Sequence, residues 1–183
     1  LAGGILPSAE REIHDIHRRR SKKEFAMAEN TLEQRIAQLE SHNDICQLMA
    51  EYLLVADKGY DPNQIAAMFV EAGTWEGDGF GRHEGREAIR RFFAGLSGAL
   101  VFAAHFVTNP IITFSADDKA RGRWRLLEPA TVNNDGALES NLLVAAYDNE
   151  FVKVGDEWMF QAVNVHVNFF EPINKGWAET AKP

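Results

Sequence analysis

A chain of 183 residues, 45% apolar and 25% charged, is long enough to build one domain around a sizeable core. A formal charge of −8 argues against a nucleic-acid-binding surface, because phosphate recognition needs clustered positive charge. Cys46 is the single cysteine, which excludes an intrachain disulfide and fits a reducing, cytoplasmic setting; no apolar run approaches the roughly 18 residues of a membrane span.

Residues 1–28 read as a basic N-terminal extension, or as an arm that packs on a neighbouring subunit. Within the first 26 residues, six Lys/Arg stand against four acidic side chains, and Ile13 and Ile16 offer a short apolar stripe. No aromatic lies among Arg18, Arg19, Arg20, Lys22 and Lys23, which speaks against an RNA-binding arm. His14 and His17 are spaced like metal ligands but lack the company a metal site needs.

Thr31 followed by Gln34 is a capping box. It opens a helical period through Leu32, Ile36, Leu39, Ile45, Leu48, Met49, Tyr52 and Ala56, with Gly59 as the stop. The sequence leaves open whether this is one helix or two, broken near Ser41-His42-Asn43. Asp61, Pro62 and Gln64 start a second helix, whose inner face is Ile65, Met68 and Phe69. A strand is expected around Thr74-Trp75-Glu76. The glycine-rich "GDGFGRHEG" that follows reads as a turn, because no phosphate-loop frame accompanies it. A third helix, "REAIRRFFAGL", carries Ile89, Phe92, Phe93 and Leu96 on its apolar face. Then the period changes. Residues 100–114, 120–132, 138–153 and 157–170 read as strands separated by turn signals, which is an antiparallel meander. Helices first and strands afterwards give an α+β class, expected as a cone-like α+β barrel with the helices on a curved sheet enclosing a pocket.

Two residues break local rules. His105 sits inside the apolar run "ALVFAAHFVTNPIITF", where an unpartnered imidazole pays for its desolvation. With regular alternation it shares a face with Val101, Ala103 and Val107. Asp57 ends the first helix on the Met49–Leu53–Asp57 ridge, although a helix C-terminus disfavours negative charge. If the carboxylate reaches the imidazole, it fixes the tautomer and leaves the other ring nitrogen as a base, which suits proton abstraction from carbon in an apolar pocket. His166 and Asn164 lie on one face of the last strand, with Val163 and Val165 on the other; alternation does not say which pair faces the pocket.

The order of helix ending in aspartate, capped helix, Trp-containing strand, "GREAIRRFF", histidine strand and meander resembles the SnoaL-like branch of the nuclear transport factor two-like superfamily. Within that branch it is similar to scytalone dehydratase, bile-acid dehydratase and hexachlorocyclohexane dehydrochlorinase. The resemblance covers about residues 31–172 and implies a SnoaL-like domain over 29–174, with a tail at 175–183. "LLVADKGY" resembles the helix with the family's catalytic aspartate, which places that role on Asp57. "AAHFVTNPIITF" resembles the strand with the catalytic histidine, which places it on His105. Tyr52 falls where the bile-acid dehydratase has a tyrosine. The dehydrochlorinase's lysine and last-strand arginine match Tyr52 and Val163, and the dehydratases' early-strand tyrosine has no match around Thr74-Trp75-Glu76.

The resemblance therefore implies a lyase or isomerase, dehydratase-like and needing no cofactor or metal, acting on a mostly apolar, cyclic small molecule. Asp57, His105 and Tyr52 are the expected catalytic residues, and Trp75, Phe69, Phe102, Val163 and His166 the expected substrate contacts. Two alternatives stand beside it: a protein that binds a small molecule without turnover, and a structural subunit resembling the β subunit of ring-hydroxylating dioxygenases. No nucleic-acid or membrane partner is expected. A homodimer or homotrimer is, because the outer face of a meander sheet is normally covered.

Overall fold

Side chains start the first two helices where the sequence expects them. The Gln34 amide donates to Thr31 Oγ1 at 3.3 Å and the Thr31 amide to Gln34 Oε1 at 2.8 Å, closing the box ahead of α1 (Leu32–Asp57). That helix is unbroken through Ser41-His42-Asn43. Asp61 Oδ1 accepts the amides of Asn63 and Gln64 at 2.9 and 3.1 Å and caps α2 (Pro62–Ala67). The computed structural model describes residues 31–178 and residue 180. The expected 1–28 arm, with His14 and His17, lies outside the described residues. The chain divides into two compact units, residues 1–40 and 41–183, and the site described below lies wholly in the second.

After α2 come β1 (Phe69–Gly77), β2 (Gly81–Glu84), α3 (Arg86–Ala99), β3 (Leu100–Ala103), β4 (Phe106–Ala116), β5 (Lys119–Asn134), β6 (Ala137–Val154) and β7 (Glu157–Pro172). Phe69 thus opens a strand instead of closing α2. The strands form one mixed sheet in the order β2-β1-β7-β6-β5-β3, with β4 also pairing β5. The meander β4-β5-β6-β7 is antiparallel, whereas β1 runs parallel to β7. Asp135 and Gly136, with φ of 52° and 94°, make the tight turn between β5 and β6.

The barrel expectation is overturned. The sheet ends at β2 on one side and at β3 and β4 on the other, and no ladder joins those edges. The physical reason is α3, which packs against both β2 and β3 and fills with side chains the gap a barrel would close with hydrogen bonds. The architecture is an α+β fold with an open mixed sheet and three helices among the described residues.

Helix and strand periods meet in one core. Ile45, Met49, Tyr52, Leu53 and Ala56 come from α1, and Ile89 and Phe93 from α3. From the sheet come Trp124 and Leu126 of β5, Ala145 and Tyr147 of β6, and Phe160, Val163 and Val165 of β7. Each fully buried Phe contributes about 2–3 kcal/mol relative to exposure.

The single strand expected over 100–114 is two. The ladder stops after Ala103 and resumes at Phe106, and Val101, Phe102, Phe106 and Ile111 are about half exposed rather than packed. His105 falls in the break.

Candidate active site

Three elements deliver side chains to the break between β3 and β4. The end of α1 brings Asp57, whose Oδ1 accepts the backbone N–H of His105 at 3.0 Å and lies 2.7 Å from Nδ1 of the same ring. The backbone bond explains the interruption, since an amide that would serve a ladder is turned to a side chain instead. One carboxylate therefore fixes both the bend in the chain and the ring that the bend carries. With Nδ1 as donor to Asp57, Nε2 is left to hold or release a proton.

Glu128, from the middle of β5, approaches the other side of the ring, with Oε2 3.3 Å from His105 Nε2. The side chains of His105 and Glu128 are 6% and 5% exposed, against 32% for Asp57. Burial raises the Glu128 carboxyl above its ordinary value, and the nearby Asp57 charge adds to this. The facing imidazole and a hydrogen bond from Tyr60 oppose it. The imidazole and the Glu128 carboxyl thus meet in a corner almost without solvent.

Tyr60 follows the helix stop and has φ of 59° directly after Gly59 at 101°. The left-handed turn costs a tyrosine about 1–3 kcal/mol. It places the ring 6.0 Å from Phe93 and 6.1 Å from His105, with the hydroxyl donating to Glu128. Tyr52, a turn earlier on α1, accepts the indole N–H of Trp75 at 2.9 Å and keeps its own proton to donate. Burial pushes the phenols of Tyr52, Tyr60 and Tyr147 well above their ordinary value, so all three stay protonated.

These groups line a cavity of about 40 Å³, which has room for ordered water but not for a six-membered ring. Tyr52, Tyr60, Tyr147, His105 and Glu128 supply its polar atoms, and Trp75, Phe93, Leu126 and Val165 are among the apolar lining. Phe80, Leu96, Leu100 and Phe170 also line it and are only half-buried. No Lys or Arg among the described residues lines it. Among the described residues, no cluster of three or more His, Cys, Asp or Glu side chains is arranged to hold a metal ion.

Of the residues singled out from sequence, Tyr52, Trp75 and His105 line the cavity, with Asp57 behind the imidazole. The structure places four others elsewhere. Phe69 is fully buried against Phe160, Val163 is fully buried in the core, Phe102 is 55% exposed, and His166 is exposed on the outer face of β7. The pleat of β7 turns Val163 and Val165 inward, and it is Val165 that reaches the cavity.

Sequence reasoning missed Glu128, Tyr60 and Tyr147. The signal for Glu128 was available: Trp124, Leu126, Glu128 and Ala130 occupy the inward register of β5, so one carboxylate stands in an apolar series.

A profile of SnoaL-like domains matches residues 37–164. The chain belongs to the SnoaL-like family. Solved structures agree at the level of the fold. A provisionally assigned scytalone dehydratase from Novosphingobium aromaticivorans DSM 12444 superposes with a TM-score of 0.70 at 21% identity, over 81% of this chain and 96% of that one. A type 2 hexachlorocyclohexane dehydrochlorinase, LinA, gives 0.70 at 23% identity, over 81% and 98%. The LinA-type3 dehydrochlorinase from Novosphingobium barchaimii LL02 gives 0.69 at 22%, again over 81% and 98%. No curated protein matches the sequence. This SnoaL-like chain has no helix among its described residues long and apolar enough to cross a membrane.

Proposed function

We propose that the protein is a lyase that removes water from a small, largely apolar cyclic compound, beginning with abstraction of a proton from carbon. His105 is the base and Asp57 the group that orients and charge-compensates it. The observation that carries this reading is the 2.7 Å contact between Asp57 and an imidazole at the wall of an apolar cavity. A desolvated base with a fixed tautomer needs no nucleophile to break a C–H bond next to an activating carbonyl.

The polar atoms of the cavity favour a neutral leaving group. A departing anion would find no Lys or Arg among the described residues of the lining, whereas a departing or carbonyl oxygen finds hydroxyl donors. Tyr52 donates a hydrogen bond to the substrate oxygen; because burial holds its phenol protonated, it orients that oxygen without giving the proton up. A ring-sized substrate enters as Phe80, Leu96, Leu100 and Phe170 swing aside. The fold it shares with a dehydrochlorinase and a provisionally assigned scytalone dehydratase supports an elimination of this kind.

The test is conversion of 3-hydroxycyclohexanone to cyclohex-2-enone, followed by the absorbance of the enone. The expected result is turnover by the native protein and none by His105→Ala at unchanged thermal stability. Equal rates for the two proteins would refute the assignment.

A further inference from the structure

Elimination of water needs a second proton transfer, because hydroxide leaves poorly from carbon. The phenols of the cavity do not supply it, since burial fixes their protons. One group does meet the requirement. Glu128 is 4% exposed, lines the same cavity as His105 and Tyr52, and stands 3.3 Å from the nitrogen that receives the carbon proton.

We infer that Glu128 is the acid of the site, protonating the departing hydroxyl while His105 takes the proton from carbon, and that the contact between them returns the proton after each turnover. This rests on the elimination reading and completes it. The substrate class follows: a neutral ring with a hydroxyl on the carbon next to an acidic C–H, as in a β-hydroxy ketone.

The step balances. The C–H electron pair forms the new C=C bond, and its proton goes to His105 Nε2. The C–O bond breaks with its electrons on oxygen, which takes the proton of the Glu128 carboxyl and leaves as water. The imidazolium then faces a carboxylate at 3.3 Å and passes its proton back. Nothing is oxidised, and the protein ends as it began. Before the reaction, a desolvated carboxyl holds its proton more firmly than one in water. The titratable groups facing it are His105 from the β3–β4 break, Asp57 from the end of α1, Tyr60 from the turn after it, Tyr52 from α1 and Tyr147 from β6.

The placement also gives each flanking carboxyl a separate task. Asp57 sits on the Nδ1 side, a third exposed and outside the cavity lining, and acts through the imidazole. Glu128 sits on the cavity side, where a substrate oxygen can reach it.

The test compares 3-hydroxycyclohexanone with 3-acetoxycyclohexanone. Both have the same acidic C–H and give the same enone, but acetate departs without help from an acid. In Glu128→Gln the ratio of acetate elimination to water elimination is expected to rise about 100-fold over the native protein, whereas His105→Ala loses both reactions. An unchanged ratio, whether both rates fall together or neither falls, overturns the inference while leaving the base in place. Infrared difference spectra of native protein against Glu128→Gln provide a reading without substrate. A protonated-carboxyl band that the substitution removes is expected to persist above the ordinary carboxyl value, and its loss at or below that value overturns the inference. Failure of the native protein on both ketones would instead contradict the elimination reading and remove the acid's role with it.

Discussion

The end of α1 and the middle of β5 bring the same chemical group to opposite sides of one imidazole, and the two carboxyls do not become equivalent. Asp57 stands at a helix terminus, a third exposed, and accepts two N–H groups from a single residue. Glu128 stands on the inward pleat of a strand, nearly without solvent, where burial favours its protonated form. Environment thus sets the two carboxyls apart: one is held as an acceptor of two N–H groups, and the other is biased by burial towards its protonated form. The fold achieves this by letting one member come from the helical layer and the other from the sheet.

That division can be broken at its hinge. Substituting His105 with Ala removes the ring that both carboxyls contact, and water elimination from 3-hydroxycyclohexanone should fall by about 10³-fold or more. Asp57→Asn should cost about 10²-fold in kcat with little change in KM, because the amide can stabilise the wrong tautomer. Unlike Glu128→Gln, it should slow the acetate and the hydroxyl substrates alike; a selective loss for the hydroxyl substrate would merge the two roles that the geometry separates. A finer test uses stability. Because burial raises the folded-state value of Glu128, its contribution is fully present below the ordinary carboxyl value of 4.5 and is lost as pH rises through the raised value. Native protein should therefore lose stability relative to Glu128→Gln from about pH 4.5 upward and run parallel to it above that window, as read by urea unfolding. The smallest effect is at Tyr60. Removing its hydroxyl in Tyr60→Phe removes a hydrogen bond to the carboxylate form, so the protonated-carboxyl band should persist to higher pH. The expected cost in turnover is about threefold, because the hydroxyl contacts the carboxyl and not the reacting carbon.

Much of the scaffold follows from short-range signals. The Thr31–Gln34 box, the Asp61 cap and the Asp135-Gly136 turn each depend on neighbours within a few residues, and each forms. The meander follows from alternation. Long-range facts escaped. The parallel pairing of β1 with β7 joins strands about ninety residues apart, and the open edges depend on α3 occupying the gap between them. The break at His105 was illegible for a related reason: its cause is an amide donated to a carboxylate 48 residues away. Once the ladder is interrupted, alternation counted through it misplaces the surrounding side chains, and Phe102 emerges at the surface. In the site, Asp57 and His105 announced themselves by breaking local rules. Glu128 broke one too, but its neighbours on the opposite pleat, Arg123, Arg125 and Leu127, made the stretch resemble an ordinary amphipathic strand. Tyr60 depended on a left-handed backbone that tyrosine seldom adopts.

The most direct measurement is incorporation of deuterium from D₂O at the carbons beside the carbonyl of cyclohexanone, followed by proton NMR. This ketone has no leaving group, so it reports on the base alone. Native protein should accelerate exchange well above the buffer rate, Asp57→Asn should slow it, and His105→Ala should return it to background. Exchange at one common rate in all three proteins would contradict the claim that Asp57 and His105 together draw a proton from carbon.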